Sequence, residues 1–424
     1  MRTFRRLSQA AALVAALVLV TSGCGSRSDS NDAGGTSPGI TDTEITFGGT
    51  IPYSGPASSY AVVGESAKAY FAFVNEELGG VEMGDGKTRK INYLTEDDAY
   101  DPSRTVEAVR KLVEQQNVFG MHNMLGTGTN LSVRDYLNRS KVPQVYIGGG
   151  GSNWGDEVDK YPWTMGWQLA YSTESSVWAQ YLRKNSPNVD VAILYQNDDL
   201  GKDLLKGFEM GIEGSDITIV RSETYNSTDA TVDAQMTNLA ASGADVFLNM
   251  SAPKFAAQAL RKKAELGWNA EQFIASVSSS IATVYAPAGL EHATGLLSAE
   301  FLKDPSNPLF ANDPDVVAYK ERLAKYGSGL DPNDRNVVFA WAAADTLYET
   351  LSRTKEPTRE SFMDSARNLD IDKLDLVLDG IPIKTGPNDG FPIESAQIVR
   401  FTGESNEPVG GILSYEGATP LATE

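Results

Sequence analysis

Short apolar strands alternate with amphipathic helices along most of this 424-residue chain, and this alternation restricts the fold more than any other feature. Residues 44–51, EITFGGTI, predict a first strand, and Val63, Ala67 and Tyr70 then recur at helical spacing. Further strands are predicted at 91–95, 118–124 and 142–147, with helices between them. Strands that alternate with helices form parallel sheets whose two faces are both covered by helices.

The same rhythm starts again after residue 190. Strands are predicted at 191–195, 217–221, 246–249 and 273–277, and helical periodicity fills the intervals. The length also fits two domains better than one. We therefore predict an α/β protein with two doubly wound, Rossmann-like lobes. The cleft at the carboxyl ends of their strands is the expected ligand site.

Composition shifts divide the chain into six segments. Residues 296–302 read as a strand that leads into coil and helices, and a further crossing between lobes is expected near 365–372. The predicted segments are a leader at 1–24, a flexible tether at 25–42, lobe 1 at 43–167 and 296–368, and lobe 2 at 168–295 and 369–424, the last including the C-terminal tail.

The amino terminus has the pattern of a bacterial lipoprotein leader. Basic residues precede an apolar run at 10–20, which is too short for a bilayer span of about 20 residues but fits a signal peptide. The run ends in Thr-Ser-Gly before Cys24, the only cysteine, and this resembles a lipobox. We expect a lipid on Cys24 and an extracytoplasmic protein, anchored to the outer face of the cytoplasmic membrane or periplasmic. A plain secretory signal with an incidental cysteine is the alternative.

The amino-acid composition argues against several functional classes. The 36 Lys and Arg residues face 56 Asp and Glu residues, a formal net charge of −20, so nucleic acid is not an expected partner. One cysteine forms no intrachain disulfide, and two histidines leave little for a metal centre. We expect no cofactor, no metal ion and a monomeric protein.

Several segments, taken together in order and spacing, resemble a known family. They include IPYSGPASSY at 51–60, LGTGTNLSVRDY at 125–136 and KVPQVYIGGGGSNW at 141–154. The chain is similar, over roughly 43–410, to the leucine/isoleucine/valine-binding lipoproteins of ABC importers, which have the type I periplasmic-binding-protein fold. The resemblance implies two lobes joined by three crossovers, hinge closure on a small ligand, and a permease partner.

Two glycine-containing turns follow neighbouring strands of the first lobe. Residues 126–130 and 148–152 offer backbone N–H groups, hydroxyls and a helix N-terminus to an anion. The resemblance implies that such turns bind the ligand carboxylate. Tight turns with helix caps and no ligand are the alternative. The residues that would take this role are Thr127, Gly128, Thr129, Gly150 and Ser152.

Aromatic residues near the cleft have two interpretations each. Tyr60 follows the first turn, where the resemblance implies packing on the ligand side chain, but a surface tyrosine would fit as well. Trp167 lies near the first crossing and either lines an apolar pocket or packs in the hinge. In the second lobe, Asn249, Ser251 and Ser278 follow strand ends, so they either face the cleft or cap loops.

One departure from the family bears on the ligand. Amino-acid binders of this kind hold the ligand ammonium with an acid of the second lobe, whereas residues 250–252 and 276–280 contain none. A non-amino carboxylate, an aromatic acid or an amide is therefore as well supported as a branched-chain amino acid. Asp198 and Asp199 supply a charge or cap the following helix.

An enzyme is the least favoured class. His122 lies in a predicted strand and His292 in a turn, where lone histidines are usually structural. A GxSxG match at 35–39 lies in the tether without a flanking strand or helix. The sequence favours a solute-binding subunit of an ABC importer that captures a small carboxylate-bearing solute. The ligand-binding subunit of a membrane sensory receptor is the alternative.

Overall fold

Two β-sheets organise the protein, in agreement with the predicted alternation. The structure is a computed structural model that describes residues 37–416 and 419–420. The predicted leader and Cys24 lie outside the described residues. Within them, no helix is long and apolar enough to span a bilayer.

The first sheet has five strands in the order β2-β3-β1-β4-β5 and is parallel except for the β2–β3 pair. The first strand is confirmed at its predicted bounds. The elements of this lobe are β1 (Glu44–Ile51), α1 (Ala61–Glu77), β2 (Val81–Glu82), β3 (Thr88–Asp97), α2 (Pro102–Arg110), β4 (Gly120–His122), α3 (Thr127–Arg139), β5 (Gln144–Val145) and α4 (Asn153–Asp156).

The second lobe continues with helices and strands of a second sheet. The chain runs through α5 (Tyr171–Asn185), β6 (Asp190–Gln196), α6 (Asp199–Ile212), β7 (Thr218–Tyr225), α7 (Asp233–Ala240), β8 (Val246–Met250), α8 (Pro253–Glu265), β9 (Glu271–Ile274), α9 (Ala286–Ala288), α10 (Leu290–Ala293) and β10 (Leu297–Glu300). These five strands pair in parallel, in the order β10-β9-β8-β6-β7.

Three helices then return to the first lobe: α11 (Pro314–Tyr326), α12 (Arg335–Arg353) and α13 (Arg359–Ala366). Helix α12 packs against α1, where the rings of Tyr70 and Trp341 meet edge to face at 5.2 Å. The Tyr70 hydroxyl donates to Asp345 Oδ1 at 2.6 Å, and Ser66 Oγ donates to the Val337 carbonyl at 2.7 Å. Aromatic packing and buried hydrogen bonds therefore tie these helices to the first sheet.

The chain ends in the second sheet. The elements β11 (Asp370–Ile371) and β12 (Ile383–Lys384) form a separate two-stranded pair, and β13 (Ser395–Phe401), β14 (Asn406–Glu416) and β15 (Thr419–Pro420) add antiparallel strands beside β10. The chain thus passes between the lobes three times. A bridge between Leu302 and Val377 places the second and third crossings side by side.

Three segment boundaries differ from the sequence-based division. Residues 297–300 were expected in lobe 1 but pair with strands of the second sheet, so lobe 1 resumes after them. The third crossing passes Val377 rather than 365–372. Residues 37–42 of the expected tether contact the first lobe, because Ile40 is buried and Ser37 Oγ accepts from the Arg359 N–H. Partners of this kind are distant in sequence, so a local pattern does not reveal them.

His122 lies in the core of the first lobe, where it is fully buried. Its ring packs edge to face against Phe71, Tyr93 and Tyr146, and neither ring nitrogen has a hydrogen-bond partner among the described residues. Burial without a partner disfavours the imidazolium and holds the pKa of His122 at about 3. The residue is a neutral part of an aromatic cluster.

This burial predicts an acid-dependent loss of stability. Between pH 6.5 and about 3, the unfolded chain binds a proton that folded His122 refuses, so the free energy of unfolding falls as pH drops. At pH 5 this contribution is about 2 kcal/mol. The free energy of unfolding, measured in urea, should differ between pH 7 and pH 5 by about 2 kcal/mol less in His122→Leu than in the unmodified protein. His292→Gln, at an exposed site, should keep the full difference. Equal pH differences in both variants would contradict the assignment.

Candidate functional site

A cavity lies between the lobes, and residues just beyond the carboxyl ends of both sheets form its wall. Tyr60 and Tyr100 come from the first lobe, and Leu200 and Val277 come from the second. We call this space the tyrosine cavity. Its principal polar lining residues are Tyr60, Tyr100, Gln168, Tyr171, Arg335 and Asn336.

A strained turn directs Tyr100 to this cavity. Tyr100 and Ala99 have φ values of 63° and 51°, in the left-handed region that non-glycine residues seldom adopt. The buried Asp98 carboxylate accepts from the Tyr100 N–H and from Thr105 Oγ1, each at 2.9 Å. Asp98 therefore compensates the backbone strain and fixes the position of the aromatic ring.

The tyrosine hydroxyls are neutral donors. Burial raises the pKa of Tyr60, Tyr100 and Tyr171 above the ordinary value for a phenol. Within the described part of the chain, the hydroxyls of Tyr60 and Tyr100 have no hydrogen-bond partner. Both can donate to an acceptor placed in the cavity.

Arg335 supplies the positive charge of the cavity wall. It begins α12, where the preceding Asp334 carboxylate accepts from the Asn336 N–H at 2.9 Å and caps the helix. Its Nε donates to Glu300 Oε2 at 3.0 Å, across from the first lobe to the second. Its Nη2 is buried and has no partner among the described residues.

Glu300 is held by both lobes. Its other carboxylate oxygen pairs with Ser279 Oγ, and its side chain is 9% exposed. Burial raises the pKa of Glu300, and the adjacent Arg335 opposes that shift. One edge of the Arg335 guanidinium is thus neutralised, while Nη2 on the other side still lacks an acceptor.

The first predicted turn, residues 126–130, mainly stabilises the start of α3. The Thr129 hydroxyl donates to the backbone carbonyls of Leu125 and Gly126, so it is already satisfied. Thr127 is buried and its hydroxyl has no partner in the described structure. A side chain at Gly128 would stand 3.4 Å from an Asp199 oxygen of the second lobe. Neither threonine, nor Gly128, lines the tyrosine cavity.

The second predicted turn holds a carboxylate, but that carboxylate belongs to the protein. Asp203 of α6 accepts from the Ser152 N–H at 2.9 Å and from Ser152 Oγ at 2.6 Å. We call this contact between the lobes the Ser152–Asp203 latch. The donors predicted for a ligand carboxylate are therefore occupied here. The Gly150 carbonyl accepts from the Tyr171 N–H at 2.7 Å, and a side chain at Gly150 would collide with the Leu169 carbonyl.

Trp167 packs in the hinge. It is fully buried, its ring meets Phe339 at 5.1 Å and Phe301 at 6.0 Å, and its Nε1 donates to Thr346 Oγ1 at 2.8 Å. Of the two interpretations left open, hinge packing describes this geometry. Phe339, which touches it, lines the tyrosine cavity instead.

The three second-lobe candidates lie beneath the cavity surface. Asn249, Ser251 and Ser278 are all fully buried. Ser278 Oγ donates to the Ser251 carbonyl at 2.6 Å, and Asn249 Nδ2 donates to the Ala256 carbonyl at 3.3 Å. These bonds brace the loops after β8 and β9, which corresponds to the loop-capping alternative.

An acidic side chain, Glu174, does lie beside residues 276–280 of the second lobe, a stretch that contains no acidic residue itself. Glu174 reaches from α5 and accepts from the Ser276 N–H at 2.6 Å and from Ser276 Oγ at 2.8 Å. Full burial raises the pKa of Glu174 to about 8, against the lowering effect of these hydrogen bonds. At neutral pH the group is mostly protonated, so it joins α5 to the loop after β9 more than it offers a negative charge.

Tyr60, predicted from the sequence to contact the ligand, lines the tyrosine cavity, and so do Arg335 and Tyr100, which were not predicted. The Asp-Arg-Asn sequence at 334–336 predicts only a helix start, because nothing local shows that the arginine faces a second lobe. Tyr100 immediately precedes Asp101, which caps the start of α2, and its direction depends on the left-handed turn.

With this geometry established, comparison with known proteins identifies the family. The family model of the periplasmic binding proteins matches residues 44–406 of this chain. The chain belongs to this family. It is a periplasmic solute-binding protein with the type I fold.

Individual relatives of this periplasmic binding protein are distant. It is 22% identical over 322 residues to the Leu/Ile/Val-binding protein homolog 7 of Brucella suis biovar 1, over 74% of this chain and 78% of that relative. A branched chain amino acid ABC transporter structure from Thermus thermophilus with bound valine aligns with a TM-score of 0.76 at 16% identity, over 89% of this chain and 98% of that one. The fatty acid ABC transporter substrate-binding protein from Thermomonospora curvata aligns with a TM-score of 0.75 at 20% identity, over 92% and 97%.

The Ser152–Asp203 latch predicts how this binding protein behaves without solute. Asp203→Ala removes two hydrogen bonds to a charged acceptor, each worth about 1.5–3 kcal/mol, so the open population should rise at least about tenfold. Distances between spin labels on the two lobes would report this. Asp199→Ala, on the same helix, is the matched control. Identical distance distributions for both variants would show that the latch does not hold the lobes.

Proposed function

We propose that this protein is the extracytoplasmic solute-binding subunit of an ABC importer, and that it captures a small carboxylate-bearing solute in the tyrosine cavity. The family supports solute binding. The observation that carries the ligand class is the buried, unpartnered Nη2 of Arg335 in the cavity wall. A buried guanidinium donor without an acceptor costs free energy that a carboxylate would recover.

The proposed binding mechanism is hinge closure. A solute first meets the open lobe that carries Tyr60, Tyr100 and Arg335. The second lobe then closes and brings Glu300 to Arg335 and Asp203 to Ser152, contacts that exist only when the lobes meet. Such contacts favour the closed state, and the closed lobes would present one joint surface to the permease. Binding and release need no covalent step, and we infer that the protein catalyses none.

The chemical class of the solute stays open between several carboxylates. One similar structure contains valine and another is described as a fatty acid transporter subunit, so relatives of this fold take different solutes. For this chain we retain branched-chain amino acid-like solutes and aromatic acids as carboxylate candidates, and an amide as the alternative that the screen below distinguishes. We assign binding to Tyr60, Tyr100, Tyr171, Gln168 and Arg335, whereas the turn of Gly150 and Ser152 would serve closure.

A thermal-shift screen with Arg335 variants tests the proposal. The panel contains valine, leucine, benzoate, 4-hydroxybenzoate and benzamide. A solute at 100 times its dissociation constant should add about 2.7 kcal/mol of stability. Arg335→Gln should weaken the best carboxylate at least about 30-fold, because it removes a buried charged partner.

Two comparisons make this result specific. Arg261→Gln, at an exposed site in the second lobe, should bind as the unmodified protein does. Thermal unfolding without solute would show whether Arg335→Gln folds. A folded Arg335→Gln with unchanged carboxylate affinity, or a preference for benzamide over benzoate, would contradict carboxylate capture.

We further propose that lipid on Cys24 anchors a monomeric protein to the outer face of the membrane. The single cysteine directly after the apolar run of the leader supports this. In cells that express the full chain, Cys24→Ala should give an unprocessed precursor and loss from the membrane fraction. Globomycin should cause the same precursor to accumulate. Ser26→Ala is the control, and normal membrane association of Cys24→Ala would refute the anchor.

A further inference from the structure

A second cavity lies between the lobes on the side of the hinge. Its walls come from the second crossing, the start of α12, the third crossing and the second sheet. We call it the hinge cavity. Its lining includes Asn307, Phe310, Asn333, Val338, Leu378 and Asn406.

Arg335 is a lining residue of both cavities. Its Nε edge is held by Glu300, whereas Nη2 is buried and free of partners within the described residues. The ammonium of Lys303, which also lines the hinge cavity, is held by Asp313 and Asp315 at 3.0 and 3.1 Å. Lys303 is therefore compensated, and Arg335 is the other cation of the lining, next to the carboxylates of Glu300 and Asp304.

Two asparagines that line the hinge cavity each have a side-chain oxygen without a hydrogen-bond partner among the described residues. The Oδ1 atoms of Asn333 and Asn406 are buried and accept no hydrogen bond from the described part of the protein. Asn406 is 7% exposed, and its Nδ2 makes only a long contact with Asp304, at 3.4 Å. Buried amide groups are nearly always paired in folded proteins, so two such atoms in one cavity call for polar groups of a ligand.

Apolar side chains form one part of the hinge cavity wall, beside polar residues such as Ser279, Asp304 and Gln397. Val338 and Leu378 are buried, and Phe310 and Pro408 add further apolar surface. A cavity with an apolar wall and a few convergent polar groups is typical of a small-molecule site. The tyrosine cavity has the same character on the other side of Arg335.

We infer that the solute is a carboxylate with two arms that diverge from the carbon bearing the carboxyl group. The carboxylate would bind Arg335, one apolar arm would fill the tyrosine cavity, and the second arm would enter the hinge cavity and present an amide to Asn333 and Asn406. N-acylated amino acids are the simplest solutes of this class. This inference rests on the proposed carboxylate-binding function and specifies its ligand.

Three probes of matched shape separate the parts of the inference. 4-Methylpentanoate carries a carboxylate and one branched arm, leucine adds an ammonium, and N-acetylleucine replaces the ammonium with an amide-bearing second arm. Calorimetry with the purified full-length protein should show N-acetylleucine binding at least tenfold more tightly than each of the other two probes.

Asn406→Leu tests the second arm, because it keeps the size of the side chain and removes its amide. It should weaken N-acetylleucine about tenfold and leave 4-methylpentanoate unchanged, whereas Asn185→Leu, at an exposed site, should change neither. Asn333→Leu, in the loop before α12, should act like Asn406→Leu and gives the same readout if the Asn406 variant fails to fold.

The outcomes distinguish this inference from the proposed function. Carboxylates that bind through Arg335 with no gain for N-acetylleucine, or with no loss in either asparagine variant, would overturn the two-arm inference and leave carboxylate capture intact. Failure of all three probes to bind would contradict both.

Discussion

The ion pair between Arg335 and Glu300 is the contact on which the closed arrangement of the lobes depends. It joins the start of α12 in the first lobe to the end of β10 in the second, and both side chains are about nine-tenths buried. Removing two charges from water is costly, and the pair recovers this cost only with good geometry and further hydrogen bonds. Glu300 obtains such a bond from Ser279, but the outer nitrogen of Arg335 obtains none from the described residues. The closed protein therefore has an incomplete electrostatic site at its centre.

Much of the fold follows from local patterns. The strand at Glu44–Ile51 agrees with its predicted bounds, because its apolar spacing decides it. Helix α5 was not predicted. Its first half buries Ser172, Ser175 and Ser176, which pack closely on Gly207 of α6, so the apolar stripe is confined to the second half of the helix.

The sequence reveals less about the site, because its groups come from distant segments. Of the two turns predicted to bind a ligand carboxylate, the one at Ser152 does bind a carboxylate, but that carboxylate is Asp203, about fifty residues further along the chain. The missing second-lobe acid has a counterpart in Glu174, which belongs to another helix and bonds to Ser276 about a hundred residues away. Such pairs are decided by how the lobes pack, and a single sequence does not contain that information in local form.

The Ser152–Asp203 latch bears on how often the protein would close without a solute. A binding protein that closes without cargo imitates its loaded form, and each empty closed molecule would compete for the same docking surface on a permease. The latch must therefore be weaker than the contacts that a solute adds, or unproductive encounters would slow uptake whenever solute is scarce. The latch lies beside an open space between the lobes that Lys202 and Lys206 also line. On the proposed mechanism, the contacts of a bound solute have to contribute more free energy to closure than the Ser152–Asp203 hydrogen bonds do.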